Sequence, residues 1–198
     1  MEILTTAQIR EAEKAVIEKI GVPAVVLMER AGLEVYRECA NRIPANAGVL
    51  ILAGRGNNGG DGLVAARLFK NAGYDVTVMM PGSKTPLSAQ TALQRRILRG
   101  IGLKIYKIAP NRAIPSLEGY DLIIDALLGI GLNRPADEFL SKIIAAANRA
   151  SALKAAVDIP SGLDASSHNI PGETFRADLT VTFCRPKIPH ILHPAKAY

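Results

Sequence analysis

Three glycine- and acid-rich stretches hold the residue types that could do chemistry. The first is Gly54-Arg55-Gly56-Asn57-Asn58-Gly59-Gly60-Asp61-Gly62. Glycines let a backbone turn sharply and approach a ligand closely. A helix starting near Asp61 would aim its N–H groups and dipole at a phosphate or another anion. Gly54, Gly56 and Gly59 satisfy the G-x-G-x-x-G spacing of dinucleotide sites. The acid that normally holds the ribose belongs near the end of the next strand, where Met79-Met80-Pro81 stands instead. No Gly-Lys-Ser/Thr follows, which excludes a P-loop. The stretch reads as a phosphate-compatible turn rather than an ordinary NAD site. Asn57, Asn58 and Asp61 also suit plain turn chemistry, with Asn in the left-handed region and Asp at an N-cap.

The second stretch is Asp125-Ala126-Leu127-Leu128-Gly129-Ile130-Gly131-Leu132-Asn133-Arg134-Pro135. Gly129 and Gly131 make an adaptable backbone loop, and Arg134 can pair bidentately with phosphate. Asp125 reads either as a site carboxylate or as a cap for neighbouring amides. The third stretch is Val157-Asp158-Ile159-Pro160-Ser161-Gly162-Leu163-Asp164. Asp158 closes a buried strand, where a carboxylate can serve as acid, base or hydroxyl acceptor. Asp164 reads as an Asx-turn. Other chemistry is poorly supported. His190-x-x-His193 lacks a third ligand. Cys39 falls within a helix as a small core residue, and Cys184 has no base to activate it. Ser161 is not in G-x-S-x-G.

Alternating strands and helices must carry these loops. Thr5-Thr6-Ala7-Gln8 is a capping box. A helix then runs through Ile9, Ala12, Val16, Ile17 and Ile20 to Gly21, and a second opens at Pro23 and passes Cys39. These two precede any strand and read as an added cap. Strands are expected at Gly48–Ala53, Asp75–Met80, Leu103–Ile108, Asp121–Asp125, Leu153–Ile159 and Asp178–Phe183. Helices are expected at Asp61–Asn71, from Thr85-Pro86 to Gly100, and at Asp137–Ala150. Strands separated by helices pair in parallel, and near-uniform apolar strands are covered on both faces. The fold class is therefore α/β. It is a Rossmann-like three-layer sandwich with a mostly parallel central sheet, helices on both faces and two extra N-terminal helices. In such sheets ligands bind beyond the carboxyl ends of the strands, which is where all three loops fall.

The 198 residues amount to about one domain. Hydrophobic residues at 48% and charged residues at 21% exclude intrinsic disorder. No apolar run approaches the ~18 residues of a membrane span, and no signal peptide is evident, so no membrane partner is expected. Two cysteines make no disulfide framework, and a reducing cytoplasm fits them. The net charge of +6 is spread among 18 acidic residues. It reads as a generally basic surface, and no nucleic-acid partner is expected.

At these loops the sequence resembles the YjeF N-terminal family, the NAD(P)H-hydrate epimerases. The three stretches carry the match. Thr6-Ala7-Gln8-Ile9-Arg10, Leu27-Met28-Glu29-Arg30-Ala31-Gly32 and Thr182-Phe183-Cys184-Arg185-Pro186-Lys187 join it in the expected order. The resemblance implies a single domain over residues 1–198. A C-terminal strand or fused dehydratase domain would be absent, since family chains usually run past Arg-Pro-Lys into another strand. It implies a substrate, NADH or NADPH hydrated at nicotinamide C6, whose R and S forms are interconverted. Asn57, Asn58, Gly59, Gly60, Asp61, Gly129, Ile130, Gly131, Leu132, Asn133, Arg134, Pro135 and Asp158 would bind it. Asn58, Asp125 and Ser161 would coordinate a potassium ion. The family often has Gly-Thr-Gly at Gly129-Ile130-Gly131, so Ile130 removes a hydroxyl. Either loss and return of water at C6 or opening and reclosure of the C6–N1 bond needs an acid/base, for which Asp158 stands first and Asp61 second. The implied partner is an ATP- or ADP-dependent dehydratase that takes the S form. Separately, Val25, Val26 and Leu27 are more apolar than a free helix needs, so a second copy of the chain is expected there. The alternative is a non-catalytic interaction module, as similar domains are in some messenger-RNA-decapping and lipoprotein-binding proteins.

Overall fold

The computed structural model describes residues 2–131 and 135–198. Thr5 caps α1 (Thr6–Ala15) through the expected box, its side chain accepting from the Gln8 amide. The helix then widens into a π-helical segment, Val16–Ile20, which Gly21 ends at φ +84°. The second helix is α2 (Ala24–Ala40). Then follow β1 (Gly48–Ala53), α3 (Asn57–Asn71), β2 (Asp75–Pro81), α4 (Ala89–Gly100) and β3 (Ile105–Ile108). The remainder is β4 (Leu122–Ala126), α5 (Glu138–Arg149), β5 (Leu153–Val157), β6 (Leu179–Val181) and α6 (Ile188–Ile191).

The strands form one sheet in the order β3-β2-β1-β4-β5-β6, and every pairing is parallel. The order reverses direction at β1 and β4, so the loops after these two strands flank the switch-point crevice. Alternate strand residues feed two cores. Val49, Ile51, Val78 and Ile124 pack under α2, α3 and α4. Leu50, Leu52 and Ile123 pack under α5. The three layers are thus observed. The two N-terminal helices differ in role. α2 buries Val35 and Cys39 in the core and presses Gly32 against Val64 of α3. From α1, Ile9 is the buried residue.

Two helix starts differ from expectation. α3 begins at Asn57, one turn before Asp61, because its cap is Gly56. Asp61 is therefore not an N-cap, and Asn57 and Asn58 are helical, which removes the plain turn reading of all three. α4 begins after Ser88, whose side chain accepts from the Thr91 amide. The Thr85 carbonyl is instead taken by Arg55 Nε. Thr85 and Pro86 therefore precede the helix rather than open it.

Candidate functional site

The loops after β1 and β4 meet because backbone passes directly over backbone, and Ser161 ties the loop after β5 to them through Asp125 and Leu128. A Cβ on Gly54 would lie 1.8 Å from the Leu127 carbonyl oxygen, and one on Gly59 2.1 Å from the Gly54 oxygen. Gly62 faces Ala126 in the same manner, at 2.5 Å. These glycines therefore serve the helix–sheet junction, where the sequence alone read them as room for a ligand. Gly56 is the open one, with nothing within 4 Å. It gives α3 no side-chain cap, so the first amides of the helix are left for an anion or water.

Beneath the junction, Asp125 and Ser161 are buried together. Asp125 Oδ1 accepts from Ser161 Oγ (2.7 Å) and Leu127 N (3.1 Å), and Oδ2 accepts from Ser161 N (2.7 Å). Ser161 Oγ in turn accepts from Leu128 N at 2.9 Å, and Asn58 Nδ2 donates to the Leu128 carbonyl at 2.8 Å. Asp125 thus caps amides, as one sequence reading had it, while also joining Asn58 and Ser161. Burial pushes its carboxyl up to about 6, although the Ser161 and Leu127 hydrogen bonds pull the other way. Among the described residues no group of three or more His, Cys, Asp or Glu could hold a metal ion. The donors gathered here are amide, hydroxyl, carbonyl and a single carboxylate.

Above the junction lies a cleft of about 1440 Å³. Asn57, Asn58, Asp61, Gly129, Ile130, Gly131 and Asp158 line it. Gly59 and Gly60 are buried behind its wall. Pro135 is exposed beside Gly172 and does not line it. Leu132, Asn133 and Arg134 lie outside the described residues. Arg10, Arg30 and Arg55, which sequence reading did not single out, supply cations along the cleft. Arg10 of α1 also donates to the Ile130 carbonyl at 3.4 Å.

Two carboxyls in the cleft differ in surroundings. Burial pushes the Asp61 carboxyl well above its ordinary range, and the charges of Asp158 and Glu13 push it further. Asp158 pairs with Lys187, a fully buried lysine. It also accepts from Thr182 Oγ1 and Phe183 N, each at 3.2 Å. Its backbone is left-handed, with φ +66°, a region aspartate tolerates better than most residues. Asp164 makes the expected Asx-turn, accepting from Ser166 N at 2.9 Å.

Sequence reading missed Lys187, Thr182 and Glu13. The one signal for the first two was the Thr182–Lys187 segment, a lysine held between prolines after an apolar strand. Nothing local marks Glu13, which reaches Asp61 only through the placement of α1.

Residues 24–188 match the YjeF-related protein N-terminus family. An NAD(P)H-hydrate epimerase from Limosilactobacillus fermentum is 37% identical over 197 residues, covering 100% of this chain and 92% of that protein. One from Rhodopirellula baltica is 35% identical over 185 residues, 93% of this chain and 75% of that protein. The bifunctional NAD(P)H-hydrate repair enzyme Nnr of Escherichia coli is 42% identical over 175 residues, which are 88% of this chain and 33% of that protein. The crystal structure of the yeast protein YNL200c shares the fold, with a TM-score of 0.80 and 24% identity over 94% of this chain and 82% of that one.

Proposed function

The chain belongs to the YjeF-related protein N-terminus family, and we propose that it is an NAD(P)H-hydrate epimerase. In this reading it interconverts the R and S forms of NADH or NADPH hydrated at nicotinamide C6. One observation carries the reading. Asp61 and Asp158 meet in a single large cleft, Asp61 held toward its protonated form by burial and Asp158 paired with Lys187. The epimerases of similar sequence support it over the full chain.

The geometry supplies one proton donor and one acceptor. Asp61, disfavoured as an anion, gives its proton to the C6 hydroxyl. The C6–O bond breaks, water leaves, and the ring nitrogen lone pair stabilises the cation. Water returning to the opposite face forms the new C6–O bond and gives its proton to Asp158. The reverse conversion carries that proton back, and in net turnover one way Asp158 gives its proton to solvent and Asp61 takes one up before the next cycle. Opening and reclosure of the C6–N1 bond would use the same two groups. The uncapped start of α3, with Arg10 and Arg55 nearby, suits the pyrophosphate. No carboxylate closes β2, which ends Met79-Met80-Pro81, so nothing there repels a 2′-phosphate.

The donors beneath the cleft fit a potassium ion. The buried Asp125 carboxylate has no cationic partner among the described residues, and Asn58, Ser161 and the Leu128 carbonyl add hard oxygen donors. Asn58, Asp125 and Ser161 would hold the ion, which when bound would tie the loops together and offset negative charge beside the pyrophosphate. Among the described residues no helix is long and apolar enough to cross a membrane. We place the chain in the cytoplasm as a homodimer, working beside a dehydratase that uses ATP or ADP. The bifunctional relatives, in which a similar segment is part of a repair enzyme, support that pairing.

The test is a coupled assay. R and S hydrated NADH are mixed with excess S-specific dehydratase and its nucleotide, and the reduced-nicotinamide absorbance is followed. Without an epimerase the R fraction returns only at the slow spontaneous rate. The chain should collapse that slow phase, and Asp158→Asn should not. A slow phase untouched by folded protein with potassium present would instead make this an interaction module.

A further inference from the structure

We propose that Lys187 is the positioning residue of this site: its buried ammonium anchors one oxygen of Asp158 and leaves the other for the cleft. The inference deepens the reading above and rests on Asp158 being its acid–base group.

A lysine is almost never fully buried unless paired, because its ammonium gives up strong hydration. The Lys187 side chain is 1% exposed. Its three N–H donors have three acceptors: Asp158 Oδ1, Thr182 Oγ1 at 2.7 Å and the Phe183 carbonyl at 3.0 Å. No donor remains for a ligand, so Lys187 acts through Asp158 rather than on the substrate. The division within Asp158 is equally one-sided. Lys187 Nζ, Thr182 Oγ1 and Phe183 N all bond to Oδ1. Among the described residues nothing bonds to Oδ2, on a side chain 12% exposed in the cleft wall. One oxygen is held by the scaffold and the other is left for chemistry.

Both ends of the pair are fixed from behind. Asp158 N donates to the Val181 carbonyl at 2.8 Å, which pins the left-handed backbone to β6. Lys187 N donates to His190 Nδ1 at 3.0 Å, which fixes the start of α6. The charged and titratable groups around Asp158 are Lys187 and His190 from the C-terminal segment, Asp61 from α3, and Glu13 of α1 beyond it. Lys187 is the one cation among them that bonds Asp158. Burial and the Lys187 charge both hold the His190 imidazole toward its neutral form, so it cannot take over.

The experiment compares wild type, Lys187→Met, Asp158→Asn and the double variant in the full chain. It follows kcat and KM against pH, and the Asp158 side-chain carboxyl by carbon NMR, with Asp158→Asn giving the assignment. Lys187→Met should lower kcat about 10²–10³-fold with KM little changed. It should also change the Asp158 carboxyl resonance at fixed pH, because the ammonium that bonds Oδ1 is gone. Lys187→Met that loses thermal stability but keeps the wild-type kcat and resonance overturns the proposal. If the single variant does not fold, the double variant, which removes both buried charges, decides. A kcat equal to that of Asp158→Asn supports the pairing, and a further tenfold loss overturns it. A wild type that turns nothing over while its Asp158 resonance still shifts on loss of Lys187 refutes the epimerase reading and leaves the coupling intact.

Discussion

Replacing Gly54 with Ala should break the seam on which the whole site is built. The new Cβ would sit 1.8 Å from the Leu127 oxygen and 2.7 Å from its carbonyl carbon. Both obstacles are backbone, so no side chain can swing aside. The loops must part by roughly 1.5–2 Å before the contact becomes ordinary. Gly54 N donates to the Ala126 carbonyl at 2.8 Å, and Asn58 Nδ2 to the Leu128 carbonyl at 2.8 Å. Such a separation carries both beyond hydrogen-bond range. Overpacking costs about 1–3 kcal/mol, and stranding buried partners adds about 1–3 kcal/mol. A loss of about 3–5 kcal/mol is therefore expected, a large share of the ~5–15 kcal/mol that holds a domain folded. Urea unfolding measures it, with Gly56→Ala as the control. Nothing lies within 4 Å of a Cβ at Gly56, and its φ of −81° suits any residue. That control should stay within about 1 kcal/mol of wild type. Equal stability of the two variants would refute the packing argument and leave ligand approach as the reason for Gly54.

Burial raises Asp61, so its proton should be lost only at higher pH than an ordinary carboxyl, and kcat should fall on the alkaline side as it goes. Asp61→Asn should remove that limb and lower kcat by about 10²–10⁴-fold in the coupled assay. The Asp125 carboxyl rises from 3.8 to about 6 on folding. Its contribution to stability is full below the unfolded value and is lost as pH rises through the folded one, by about 3 kcal/mol. Denaturation series from pH 4 to pH 7 should show that slope flattened by potassium and absent in Asp125→Asn. Potassium should raise the melting temperature of the wild type and not of the variant. Cys184 is exposed, whereas Cys39 is buried with its thiol pushed up to about 12. Mass spectrometry after iodoacetamide at pH 8 should find a single label, on Cys184.

Local rules alone made much of this protein legible. The Thr5–Gln8 box, the stop at Gly21 and the apolar strands depend on neighbours a few residues apart, and each is found where the sequence places it. Strand–helix alternation likewise settled the parallel pairing and the sheet edge that carries the site. Asp158 stood out because an acid directly after a buried strand is unusual. The tertiary structure decided what local rules cannot express. Whether Gly54 faces a ligand or Leu127 depends on backbone arriving 73 residues later in the chain. Asp61 and Asp158 are both aspartates after strands, and only their neighbours tell them apart: Glu13 and burial for one, Lys187 for the other. Charge acts through space over a few ångströms, and the chain brings those charges together only by folding.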